Sequence, residues 1–219
     1  MKIPLARTFS SIPIGMRVLL LIYAFSFPVI QLGLLTHTFD LPAWVGLSPA
    51  LVWKGQIWRV LTYGFFANSI LAWGVNLFWL MTLVIVLRRD WSSTTLWSYY
   101  VVAAIASAVP ILLLASSKDI AILSWGGEVF ALLIAWAKLY GRERIVMLGF
   151  GEVSVRQAAT FVAVLNAVII FFSCGGWLFV LSMLCGGLAG WAYLAIGNRR
   201  VAARGSQVTQ SDRMARLEL

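Results

Sequence analysis

Ser124-Trp125-Gly126-Gly127-Glu128-Val129-Phe130 lies inside the apolar run Ile120 to Tyr140. A second glycine-rich stretch, Leu184-Cys185-Gly186-Gly187-Leu188-Ala189-Gly190, lies inside another, Trp177 to Ile196. Runs of about 20 mostly apolar residues suit a helix crossing the hydrocarbon layer, because a helix satisfies its own backbone polar groups there. Glycines such as Gly126 and Gly127, or Gly186 and Gly190, remove bulk from a helix face, so two membrane helices can approach closely. The pair therefore predicts two membrane helices packed against each other, with Glu128 as an ionisable side chain inside one of them.

Working outward, four more apolar runs appear at Arg17 to Leu35, Ile70 to Leu87, Leu96 to Ala115 and Val155 to Phe172. The chain is 61% hydrophobic and 11% charged, with a mean hydropathy of +0.90. A soluble domain cannot hide that much apolar surface. The reading is an all-α integral membrane protein, a six-transmembrane-helix bundle over residues 1–198 with a basic tail over 199–219. The formal charge of +9 follows topology. With both termini cytoplasmic, that side collects Lys2, Arg7, Arg17, Arg88, Arg89, Lys138, Arg142, Arg144, Arg156, Arg199, Arg200, Arg204, Arg213 and Arg216, leaving Lys54, Arg59 and Lys118 opposite. This asymmetry is the positive-inside bias, reinforced by anionic lipid. It argues against a nucleic-acid partner and for membrane lipids.

Lys2 and Arg7 before an apolar stretch would also suit a signal peptide. Pro28 interrupts the stretch, however, and no small-residue cleavage pattern follows, which favours a retained first helix. Cys174 and Cys185 read as small apolar residues, not a disulfide framework. His37 is the sole histidine, so no metal site is expected. Nothing identifies a cofactor.

The segment 36–68, between the first two spans, carries Trp44, Trp53, Trp58, Pro42 and Pro49. It reads as an interfacial hairpin, since indole rings favour the membrane boundary. It contains Gly55-Gln56-Ile57-Trp58-Arg59-Val60-Leu61-Thr62-Tyr63, followed by Ala67, Ala72, Asn76 and, twelve residues later, Arg88. Together with the two glycine-rich stretches, these residues resemble the motifs of rhomboid intramembrane proteases. The resemblance covers about Gly55 to Tyr193. It puts Trp58 and Arg59 in the interfacial hairpin and Asn76 at an oxyanion-stabilising position. Ala67 and Ala72 stand where histidines are usual, and Arg88 where a glutamate is common. It places Gly126 where the serine nucleophile belongs and Leu184 where the histidine base belongs, with Gly127, Gly186, Gly187 and Gly190 retained. The implied protein is a catalytically inactive rhomboid-like pseudoprotease, in a bacterial cytoplasmic (inner) membrane.

The chemistry agrees without the resemblance. Peptide hydrolysis through a covalent intermediate needs a nucleophile, a base within hydrogen-bond reach and donors for the oxyanion. Gly126 and Leu184 supply neither nucleophile nor base, and Ser124, two residues before Gly126, points to a different helix face. Three readings stay open for Glu128: an interior hydrogen-bonding group near Ser124, a contact for a partner helix, or an acid or base acting with water. The expected function is non-catalytic binding, guiding or assembly of transmembrane segments of other proteins. The alternatives are a fixed accessory subunit of a larger membrane complex, and an enzyme with chemistry relocated to Glu128 or Ser124.

Overall fold

The fold comes from a computed structural model that describes residues 14–37, 40–66, 70–115, 126–147, 151–174 and 177–217. In chain order the elements are α1 (Ile14–Thr36), the short helices α2 (Leu41–Val45), α3 (Pro49–Trp53) and α4 (Arg59–Thr62), a 3-10 turn (Tyr63–Phe65), α5 (Ile70–Leu87), α6 (Ser93–Leu114), α7 (Gly127–Tyr140), the strands β1 (Arg144–Met147) and β2 (Gly151–Ser154), α8 (Val155–Cys174) and α9 (Trp177–Leu217).

Each long apolar run with described coordinates forms a helix. Among the described residues, three helices are long and apolar enough to cross a membrane: Ile14–Gly33, Ser93–Leu114 and Trp177–Gly197. Trp73–Leu87 and Val155–Ile169 are shorter apolar helices. The chain is thus a helical integral membrane protein.

Helix α6 is central to the packing. Helix α9 lies against both α6 and α7, α8 packs on α7 and α9, and α5 joins α7 to α1. The main core gathers Met16, Leu19, Leu83, Leu96, Ala103, Leu132, Trp136 and Val162. A smaller core of Leu47, Val52, Tyr63, Ala108 and Ile111 fixes the segment between α1 and α5 onto α6. That segment keeps Trp44, Trp53, Ile57 and Trp58 outward, a surface suited to the membrane boundary.

Three differences from the sequence reading have physical causes. The run Ile120 to Tyr140 gives a described helix only from Gly127, 14 residues long, because Gly126 is left-handed at φ 87° and a left-handed residue interrupts an α-helix. Ser124 and Trp125 lie outside the described residues. The segment Arg142 to Arg156, between two of the expected spans, contains an antiparallel hairpin pairing Arg144 with Ser154 and Ile145 with Val153. β-Branched Ile145, Val146 and Val153 favour that pleated pairing. The basic tail set apart over 199–219 continues α9 to Leu217, since it lacks proline and carries several arginines and alanines, both good helix formers.

Candidate functional site

The polar residues inside the bundle converge on the start of α7. Gly126 caps that helix in its left-handed conformation. A β-carbon there would sit 3.0 Å from Asn76 Oδ1, so the α5 amide closes directly over the glycine. Asn76 is buried and is hydrogen-bonded to the Tyr23 side chain of α1. Glu128, two residues further on, is 1% exposed. Its Oε1 lies 2.6 Å from where a β-carbon on Gly64 would be, which is why the 3-10 turn carries a glycine at that point.

Tyrosines line the rest of the cluster. The Tyr100 hydroxyl donates to Gly64 O at 3.4 Å. The Tyr63 hydroxyl lies 2.6 Å from Ser107 Oγ and 3.1 Å from Ala104 O. Ser182 Oγ of α9 donates to the Ser107 carbonyl. Tyr23, Tyr63 and Tyr100 are all within electrostatic reach of Glu128. Groups buried in a low-dielectric interior are costly unless hydrogen-bonded, so this network of α1, the interfacial segment, α5, α6 and α9 around one carboxyl fixes the relative positions of those elements. The sequence reading singled out Asn76 and Glu128 but missed Tyr23, Tyr63, Tyr100, Ser107 and Ser182. Their signal was the presence of hydroxyls within apolar runs, where a buried tyrosine or serine needs a partner.

The glycines bring α9 against this site. A β-carbon on Gly127 would be 2.6 Å from Ser107 Cβ, and one on Gly186 would be 3.0 Å from Gly127 O. Further along α9, Gly187 abuts Phe130, and Gly190 abuts the Tyr99 hydroxyl, which donates to Ala131 O at 2.6 Å. The same register turns Leu184 away. It precedes Gly186 by two residues, about 200° around a helix, and is 44% exposed on the outer surface. Leu184 therefore does not face Gly126.

Trp58 and Arg59 belong to the interfacial segment. Trp58 is half-exposed, whereas Arg59 is buried and ties the segment together. It donates from Nη1 to Gly46 O at 2.7 Å, from Nη2 to Ala43 O at 2.8 Å and from Nε to Gln56 Oε1 at 2.7 Å. Burial lowers its pKa from the ordinary guanidinium value, but arginine stays charged inside proteins. Thr62 Oγ1 adds a bond to Val45 O at 2.9 Å. Ala67 lies outside the described residues, Ala72 is part of α5, and Arg88 falls in the turn after α5. Among the described residues, no three His, Cys, Asp or Glu side chains come together as a metal site.

Fold and site together define a polytopic helical membrane protein with a polar knot at the buried start of one helix. The chain belongs to the family described as eukaryotic integral membrane protein (DUF1751), whose model matches residues 14–207. No curated protein matches the chain. The family match corrects the rhomboid resemblance: there is no match to a rhomboid family, and the pseudoprotease assignment falls with it. The physical reason is that the shared motifs were mainly glycines and small residues, which membrane helices use generally for close packing. A bacterial inner membrane does not fit a family described as eukaryotic.

Proposed function

We propose that this protein is a non-catalytic membrane protein that binds, guides or assembles transmembrane segments of other proteins, crossing the membrane six times with both ends cytoplasmic. The observation that carries this reading is the arrangement of α5 and α8. Both pack on α7 but make at most marginal contact with each other, which leaves room beside α7 for a further helix. Both also present large apolar side chains outward, Ile70, Leu71 and Phe78 on α5 and Phe161, Leu165 and Phe171 on α8. Without a hydrophobic driving force between helices in lipid, such association rests on van der Waals packing against a shaped surface. Glu128 takes no direct part, since it is shut in by Gly64 and Tyr100.

The test is photo-crosslinking in intact native membranes from Phe78 and Leu165, each replaced by a photoreactive residue, with mass spectrometry of the adducts. Adducts with transmembrane segments of other proteins are expected from both positions. Adducts with lipid alone would overturn the reading. The fixed-subunit alternative draws support from α9, whose 41 residues extend to about 60 Å, well beyond a span. One partner set captured at fixed stoichiometry would favour it over transient client binding.

A further inference from the structure

Helices α7 and α8 enclose an open groove of about 310 Å³ on the outer surface, walled by Phe130, Ile134 and Ala137 on one side and Ala159, Ala163 and Val164 on the other. Thr160 also lines it, but its hydroxyl donates back to Arg156 O at 2.9 Å, so the walls are effectively apolar. Each wall is a helical stripe advancing by three or four residues. Arg156 continues the α8 stripe one turn beyond Ala159 and Thr160. Gly141 continues the α7 stripe one turn beyond Ala137. The two extensions meet: a β-carbon on Gly141 would lie 3.5 Å from Arg156 Nε. The groove therefore runs from an apolar interior to a guanidinium at its mouth.

Arg156 does not serve its own helix. A cation in the first turn faces the positive end of the helix dipole, and α8 has no acidic residue there. Arg156 is exposed, and among the described residues the one ion pair is Arg144 with Glu152, at 3.8 Å. The surroundings are cationic. Lys138 lies 5.5 Å from the Trp191 ring centroid, and Arg142 is exposed at the end of α7. Of the nearby carboxylates, Glu152 pairs with Arg144 and Asp90 accepts from the Tyr140 hydroxyl. Glu143 is left as an exposed counter-charge.

We infer that the α7–α8 groove holds one anionic phospholipid of the surrounding leaflet, an acyl chain lying along Phe130 to Ala137 and the phosphodiester meeting Arg156. At about 310 Å³, the groove is large enough to seat part of an acyl chain. A planar guanidinium pairs with phosphate oxygens through parallel hydrogen bonds, and basic pockets between membrane helices recognise anionic headgroups. A zwitterionic lipid presents the same phosphodiester but brings its own cation to an already cationic mouth, so an anionic headgroup matches it better; an apolar helix would leave the guanidinium unmatched. The inference is independent of the α5–α8 surface assigned to protein segments.

The test uses the full chain, stripped of lipid in mild detergent and titrated in native mass spectrometry with dioleoylphosphatidylserine or dioleoylphosphatidylcholine. The first serine-lipid adduct is expected to form about fivefold more tightly than the choline-lipid adduct, the size of one basic side chain acting on an anionic headgroup. Arg156→Gln, at an exposed position, should weaken the serine lipid more than the choline lipid and so remove the preference between them. Ala163→Phe, which fills the groove, should weaken both. Equal binding of the two lipids by the native chain, a preference that survives Arg156→Gln, or binding untouched by Ala163→Phe would each overturn the inference.

Discussion

At the scale of single residues, the site is governed by what two positions exclude. Gly126 combines a left-handed backbone with an asparagine oxygen 3.0 Å from where a side chain would begin. Gly126→Ala must then bear about 1–2 kcal/mol of backbone strain and displace Asn76 from Tyr23. A clear drop in thermal stability of the detergent-solubilised protein, followed by tryptophan fluorescence, is expected; an unchanged midpoint would contradict the geometry. Arg59 acts by direction more than by charge, reaching three acceptors on three different residues. A lysine there keeps the charge but not the fork. Arg59→Lys should lose about 1.5–3 kcal/mol, the range for hydrogen bonds from a charged donor. The loss should appear as faster amide exchange across residues 43–62, and native-like protection there would count against the account. Neither effect was visible in the sequence. Gly126 read as a vacant nucleophile position, and Arg59 as a motif residue, because backbone handedness and hydrogen-bond partners distant in the chain leave no local pattern. Glu128 was legible as an interior polar group, since an ionisable residue in an apolar run has few alternatives.

At the scale of elements, apolar length was the reliable signal and motif spacing was not. α1, α5, α6, α8 and the first half of α9 fall where continuous apolar residues require them, because lipid permits no other backbone solution. Motif spacing failed at α9. It put Leu184 at a base position that would face Gly126, whereas Leu184 lies two residues from the packed Gly186 and so on nearly the opposite face of the helix. The resulting register gives a paired prediction. Gly186→Leu would drive a branched side chain into Gly127 O and Ser107, separating α9 from α6 and α7, and overpacking of this kind costs about 1–3 kcal/mol or more. Leu184→Ala, on the exposed side of the same helix, should change stability by no more than about 0.5 kcal/mol. Folded yield by size-exclusion chromatography, with thermal midpoints for both variants, tests the pair. A more damaging Leu184→Ala would mean that α9 is rotated from the register described here.

For the whole molecule, orientation follows from where the cations lie along the fold. The hairpin between α7 and α8 is flanked by Lys138, Arg142, Arg144 and Arg156, and α5 ends at Arg88 and Arg89. The interfacial segment between α1 and α5 carries only Lys54 and Arg59, and Arg59 is buried among carbonyls. Retention of basic loops on the cytoplasmic side predicts the strands β1 and β2 inside and the interfacial segment outside. On the six-crossing topology proposed above, both chain ends would lie on the side of the strands. In a eukaryotic membrane this ordering can be read directly by inserting an Asn-x-Thr acceptor site, since glycan is added only on the luminal side. An acceptor inserted at Gly55, an exposed turn with positive φ, should be modified. One inserted between β1 and β2, or after Leu219, should remain unmodified. Glycan on the β1–β2 insertion would reverse the orientation. Glycan on the C-terminal insertion alone would keep the orientation but require an odd number of crossings after the strands, removing either α8 or α9 from the set of spanning helices. The anionic lipid assigned to Arg156 depends on the same outcome, because that headgroup must lie in the leaflet where the β1–β2 hairpin emerges.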